Sequence, residues 1–417
     1  MCGGGRPFRP DGQSESRRGG PSNEGTAGSP IVTIRSAPER RKKGGYRLHE
    51  RDVVVIGGGV IGCSIAYYLA KRGARVTVLE RDLIGSHSSS AAAGILGAQV
   101  EMAEPGPLSE LCVKSRSMFP DLASELYRLT GIDIELIRTG VLRIAWTREE
   151  AEALYKRGVW QRERGGTADW WDRDRVRSVE PAVSDRIEGA LYIPGDSHVS
   201  SSRLTRAFSY AAELLGAELI ERCEVTALRA GKDRIERVES DRGTFQAEHV
   251  VLAAGAWSAA LAGKLGLRLP VVPVKGESLA VYPRRALFER TLFAEGCYLV
   301  PKADGKVIVG ATERAGDFTE WVTMDAIQKL TSEAVRLVPE LADSTFIRAW
   351  SSVRPGSVDG LPFIGKFEPY RNLFVATGHF RNGILLSPVT GQGIAEMIAG
   401  EEVPDLKPFS PNRLSQP

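Results

Sequence analysis

The chain has 417 residues, 42% of them hydrophobic, enough for one large α/β unit or two domains with a sizeable core. Its net charge of +3 is concentrated in residues 1–50, where ten Lys or Arg stand against five Asp or Glu, and the near-neutral remainder argues against nucleic acid as a partner. Five scattered cysteines (Cys2, Cys63, Cys112, Cys223 and Cys297) form no CxxC pair, and neither an 18-residue apolar run nor an apolar leader is present, which excludes a disulfide framework, a cysteine metal site and a membrane span and points to the cytoplasm.

Residues 1–48 are rich in Gly, Ser, Pro and Arg without periodicity, and are expected to be a disordered basic extension. Arg51 to Glu80 follows, and the rest of the chain is organised around it. Val53 to Ile56 reads as a buried strand, Gly57, Gly59 and Gly62 fill a GxGxxG template, and Ile61, Ile65, Leu69 and Ala70 recur at helical spacing. Val76 to Leu79 reads as a second strand ending at Glu80. Strand, glycine turn, helix and an acid at the next strand end make up the context of a dinucleotide site, with the pyrophosphate at the helix N-terminus and the acid on a ribose. Gly85 to Ile95 is a run of small and hydroxyl residues suited to a close approach by a flat phosphate-bearing ligand.

Leu108 to Leu129 carries an apolar stripe for one or two helices. Gly140 to Trp146 reads as a strand, 148–163 as a helix, Gly189 to Ile193 as a strand and Ser200 to Leu215 as a helix. From residue 217 the pattern turns to β, and Gln246 to Leu252 leads into Ala254 and Gly255, a second place for backbone contact with a nucleotide. Val271 to Tyr282, Tyr298 to Pro301, Lys306 to Gly310 and Phe346 to Val353 read as strands, Met324 to Leu337 as a helix, and a glycine-rich turn from Thr377 leads into a last helix ending near Ala399.

HExxH, GxSxG and Walker motifs are absent, and five scattered histidines make neither a catalytic triad nor a metal site, so the chemistry is expected to belong to a bound cofactor. Arg354 and Arg381 each sit close to Gly or Pro at the end of an apolar segment, where a guanidinium can clamp a carboxylate or form a structural ion pair. Tyr298 offers a hydroxyl to the same anion or fills the core.

The stretches VVVIGGGVIG (53–62), SSAAAGILGA (89–98), LPVVPVKGESL (269–279), CYLVP (297–301), RPGSVDGLPFIG (354–365) and GHFRNGILLSPVTG (378–391) resemble the D-amino-acid-oxidase-like FAD amine oxidases, over about residues 51 to 405. The resemblance implies an α/β fold of two domains. A Rossmann-like FAD-binding domain (49–98, 198–268 and 345–405) would carry a discontinuous, β-rich antiparallel substrate domain (99–197 and 269–344), with 406–417 as a tail. FAD, held non-covalently, would contact Gly57, Gly59, Val60, Ile61 and Gly62 in the turn, Glu80 and Arg81 at the ribose, and Ser88 and Ser89 at the phosphates. Ala93, Gly94 and Ile95 would line the flavin, Val225 would hold the adenine, and His379, Phe380, Arg381, Asn382, Gly383, Ile384 and Leu385 would wrap the ring. Arg354 and Tyr298 would hold the substrate carboxylate, with Arg381 guarding the pocket. No side chain would act as acid or base.

The resemblance is greatest to the branch that oxidises glycine to glyoxylate, ammonia and peroxide, and supplies the glycine imine for thiamine thiazole synthesis. It implies a small amino acid and molecular oxygen as reactants, a homotetramer, and a functional link to a thiazole synthase. Two positions that would line the pocket depart from the pattern, Gly296 in place of a histidine and Glu313 in place of a methionine; a carboxylate at Glu313 would repel a substrate carboxylate or attract an amine, so sarcosine, D-amino acids and D-proline stay open as substrates. A tRNA-modifying flavoprotein, supported only by the basic extension, is the reading from another class.

Overall fold

The structure, a computed structural model, describes residues 48–414. The basic extension expected over 1–48 lies outside the described residues, except for Leu48, which opens the first strand.

Val53, Val54, Val55 and Ile56 are all buried because their strand, Leu48–Ile56, sits mid-sheet between two apolar layers. Val53 and Val55 enter one core and Val54 and Ile56 the other, as the two-residue period of a strand requires. This strand pairs in parallel with Val76–Leu79 on one side and with Gly243–Leu252 on the other. Glu218–Ile220 extends the sheet in parallel beyond the former and Leu373–Thr377 beyond the latter, and the hairpin of Val225–Ala230 and Ile235–Ser240 branches off Gly243–Leu252. Three helices, Val60–Lys71, Ser201–Leu214 and Ser387–Ile398, share one core with Val53 and Val55, as in a doubly wound nucleotide fold.

A second, nine-stranded sheet is largely antiparallel. Its longest pair is Val271–Tyr282 with Thr345–Ser357, in register from Val271 opposite Ser357 to Tyr282 opposite Thr345. The second strand runs further than the sequence suggests. By its sequence pattern the strand ends at Val353, before Arg354-Pro355-Gly356, but Pro355 pairs opposite Pro273 and the ladder continues to Ser357. Cys297–Pro301 and Val307–Gly310 add two further antiparallel strands.

Several expected elements have the observed bounds, among them Val271–Tyr282 and the helices Arg148–Glu163 and Met324–Leu337. The segment read as one or two helices is one, Pro107–Thr130, continuous through Pro120 and ended by Gly131 in the left-handed region. Among the described residues no helix is long and apolar enough to cross a membrane.

Candidate active site

One long cleft opens at the carboxyl ends of the parallel strands, where nucleotides bind in doubly wound sheets. Its floor is the turn after the first strand. Gly57 adopts φ +110°, and a Cβ there would overlap the Ala253 carbonyl. A Cβ on Gly62 would overlap the carbonyl of Gly57, so only glycine lets the helix pack this close to the turn. The helix starts at Val60 with no acidic residue in its first turn, and the Val60 N–H donates to Ser89 Oγ at 2.8 Å. Its N-terminus is therefore an electropositive end facing the cleft.

Glu80 closes the second strand with its carboxylate buried at the cleft wall. Its Oε2 accepts from Gly58 N–H at 2.6 Å and its Oε1 from Asp82 N–H at 2.9 Å. Two lone pairs are thus used to fix the carboxylate, leaving acceptor capacity on both oxygens. The Arg81 guanidinium lies over the Trp257 ring at 4.7 Å. Ser88 Oγ donates to Val353 O at 2.6 Å and ties this loop to the long strand of the second sheet.

Gly57, Gly59, Val60 and Ile61 line the cleft, as do Glu80, Arg81, Ser88 and Ser89, then Ala93, Gly94 and Ile95, Val225, and Ala254 and Gly255. His379 to Ile384 complete it, including Phe380, Arg381, Asn382 and Gly383. Two expected cofactor residues stand behind the lining. Gly62 packs on the turn itself, and Leu385 is fully buried in the helical core, its carbonyl accepting from Ser115 Oγ at 2.6 Å. A bare glycine turn, a free helix N-terminus, an acid at the second strand end and a loop of small residues suit a dinucleotide with a planar ring, so the residues present fit FAD.

The other end of the cleft is built on the second sheet. Tyr298, Arg354 and Arg381 come together there with Gly276, Ser278, Ser352 and Glu101. Arg354 pairs opposite Val274, and its guanidinium lies diagonally across Gly276. Its Nη1 donates to Thr312 O at 3.1 Å, and no carboxylate pairs with it among the described residues. The Tyr298 hydroxyl has no hydrogen-bond partner among the described residues, and its ring stands 5.9 Å from that of Phe293. A free guanidinium and a free hydroxyl in one cleft can take a carboxylate between them.

Arg381 is differently placed. Its Nε donates to Glu101 Oε2 at 2.7 Å and its Nη2 to Glu101 Oε1 at 3.0 Å, while its Nη1 donates to Glu313. Burial opposes its charge, but Glu101 and Glu313 outweigh burial and hold the guanidinium above its ordinary pKa. Glu313 thus meets this arginine, outside the cleft lining. Gly296 lies outside the lining as well, at φ +77° with open space around it. His379 is buried, with its Nε2 3.1 Å from Thr390 Oγ1, and burial pushes it down to about 3, so its imidazole is neutral.

Sequence reasoning missed several supports. Glu101 had no motif to mark it. Glu277, fully buried, accepts from Thr312 Oγ1 at 3.0 Å and so steadies the residue whose carbonyl orients Arg354. His87 bridges Asp82 at 2.7 Å and Glu320 at 3.2 Å beside Trp257.

A cleft of this kind is that of an FAD-dependent oxidoreductase. Residues 52–397 match the family model of the FAD dependent oxidoreductases known as DAO, and residues 2–101 also match that of the pyridine nucleotide-disulphide oxidoreductases. The chain belongs to the DAO family of FAD-dependent oxidoreductases. It is 43% identical to the glycine oxidase of Geobacillus kaustophilus over 88% of this chain and 97% of that one. The crystal structure of glycine oxidase from that organism superposes with a TM-score of 0.85, covering 88% of this chain and 99% of the other. The glycine oxidase structure from Bacillus cereus gives 0.83 at 37% identity, covering 88% of this chain and all of the other. A bifunctional protein ThiO/ThiG of Synechocystis is 36% identical over 87% of this chain, which spans 54% of that longer protein.

Proposed function

We propose that the protein is an FAD-dependent glycine oxidase, turning glycine, water and oxygen into glyoxylate, ammonia and hydrogen peroxide, and providing glycine imine for thiazole assembly. The observation that carries this reading is that Arg354, whose guanidinium has no carboxylate partner among the described residues, and the Tyr298 hydroxyl line the same cleft as the dinucleotide turn. The similarity to glycine oxidases over nearly the whole described chain supports it.

Bound FAD supplies the two-electron oxidation of the substrate amine and delivers the electrons to oxygen. The residues that line the cleft would hold it: Glu80 and Arg81 at the ribose, Ser88, Ser89 and the helix N-terminus at the phosphates, Val225 at the adenine, and Ala93 to Ile95 with His379 to Ile384 at the ring. Arg354 and Tyr298 grip the substrate carboxylate and so fix its α-carbon. Desolvation in the cleft favours the neutral amine, and no side chain takes its proton. His379 is unsuited to that role, being neutral, buried and engaged by Thr390.

In this reading residues 49–98, 198–268 and 345–405 form the cofactor part and 99–197 with 269–344 the substrate part, and strand Thr345–Ser357 brings Arg354 from the first into the sheet of the second. The enzyme works in the cytoplasm as a homotetramer and is linked to a thiazole synthase, which the ThiO/ThiG relative supports. Anaerobic mixing with glycine, sarcosine, D-alanine or D-proline, followed by peroxide measurement in air, tests the reading. Glycine is expected to bleach the flavin and yield peroxide. Bleaching by only one of the others would transfer the function to that amine, and bleaching by none would end the small-amino-acid reading.

A further inference from the structure

Two arginines line the substrate end of the cleft, and only one is free. Each of the three guanidinium nitrogens of Arg381 donates to a carboxylate, two to Glu101 and one to Glu313. Arg354 meets only a neutral carbonyl. The two acids on Arg381 differ in their surroundings. Glu101 also favours the charged forms of Arg143 and Arg157, which burial opposes. Glu313 is 41% exposed, and Arg381 is its one cationic partner among the described residues.

We infer that Glu313 determines specificity by filling the face of Arg381 that a second substrate carboxylate would occupy, which restricts the site to amines with a single carboxylate. This rests on Arg354 as the anchor of the first carboxylate. A glycine-sized substrate needs only Arg354 and Tyr298. A dicarboxylic amine would need Arg381 too, and would have to displace Glu313 from its charge-assisted hydrogen bond to that arginine.

Binding of acetate and malonate to the holoenzyme, read as perturbation of the flavin absorbance, tests this without turnover. Malonate should bind no more tightly than acetate in the parent protein. Glu313→Gln should raise malonate affinity relative to acetate by about tenfold, the strength of one charged hydrogen bond discounted for exposure. Glu313→Met removes the same charge with a different shape and should act alike, whereas Glu313→Asp should keep the parent ratio. Adding Arg381→Gln to Glu313→Gln should abolish the gain. An unchanged ratio in both neutral variants, or a gain that survives the loss of Arg381, would overturn the inference. Because the acids are not oxidised, a failure of glycine to bleach the flavin would refute the glycine reading and leave this result standing.

Discussion

A methyl group added at Gly276 tests the placement of Arg354 without touching its charge. An alanine Cβ there would lie within 3.0 Å of Arg354 Cζ and both terminal nitrogens, against ordinary contact at 3.4–4 Å. The guanidinium must therefore retreat by roughly 1 Å. The displaced atoms are the far end of a flexible side chain, and alanine suits a strand better than glycine, so stability should change by less than about 1 kcal/mol. A reacting group displaced by about 1 Å loses on the order of 100-fold in rate, or about 2.7 kcal/mol of transition-state stabilisation. Gly276→Ala should thus lower kcat/KM for glycine about 100-fold, measured by peroxide release, with FAD content and melting temperature kept. Arg354→Ala sets the upper limit, at roughly 1000-fold or more for loss of the whole ion pair. A Gly276→Ala enzyme within threefold of the parent would refute the claim that Arg354 positions the substrate.

Tyr298→Phe should raise KM for glycine about tenfold with little loss of stability, because the hydroxyl removed has no protein partner left behind among the described residues; steady-state kinetics and a melting curve check both halves. Gly62→Ala drives a Cβ into the rigid Gly57 carbonyl, and titration of FAD into apoprotein should show affinity down by about 10–100-fold. Burial, with Lys302 nearby, pushes His198 down to about 3, well below its value in the unfolded chain, so the unfolded state binds the extra proton and stability falls as pH drops below about 6.5. Between pH 7 and 5 this costs about 2 kcal/mol, and denaturant unfolding at the two pH values should show His198→Asn losing less stability than the parent by that amount.

What was legible in the sequence was local. Val53 to Gly62 fixes a strand, a turn and a helix start within ten residues, and Gly62 does its work against Gly57 in that same unit, whereas Gly57 is held by the distant Ala253 carbonyl, which the local pattern does not report. Arg354 and Tyr298 stood out through motif resemblance, and the sheet brings them into one cleft. Glu101 was invisible because its partner Arg381 lies 280 positions away, and an acid in an unremarkable loop carries no periodicity. Glu313 was read as a pocket charge acting on substrate, but its first neighbour is a protein cation, which no single-sequence pattern reports. The extension of the long strand through Arg354-Pro355-Gly356 was hidden for a similar reason, since a proline reads as a break until the strand across from it is known.

The bond from the Ser88 hydroxyl to the Val353 carbonyl joins the phosphate-side loop to the residue next to Arg354, and a second tie runs from Trp350 Nε1 to Ala91 O at 3.0 Å. With Ser352 Oγ also donating to Ser88 Oγ at 3.3 Å, the strand that carries Arg354 is stitched to this loop by three hydrogen bonds. Laboratory evolution toward new amines would feel that stitching. Replacements that shift this backbone would cost flavin retention along with the old specificity, whereas changes at side chains off the seam, such as Glu313, would leave the cofactor undisturbed. Libraries aimed at altered substrate range belong on the loop after Ala311, with the long strand left intact.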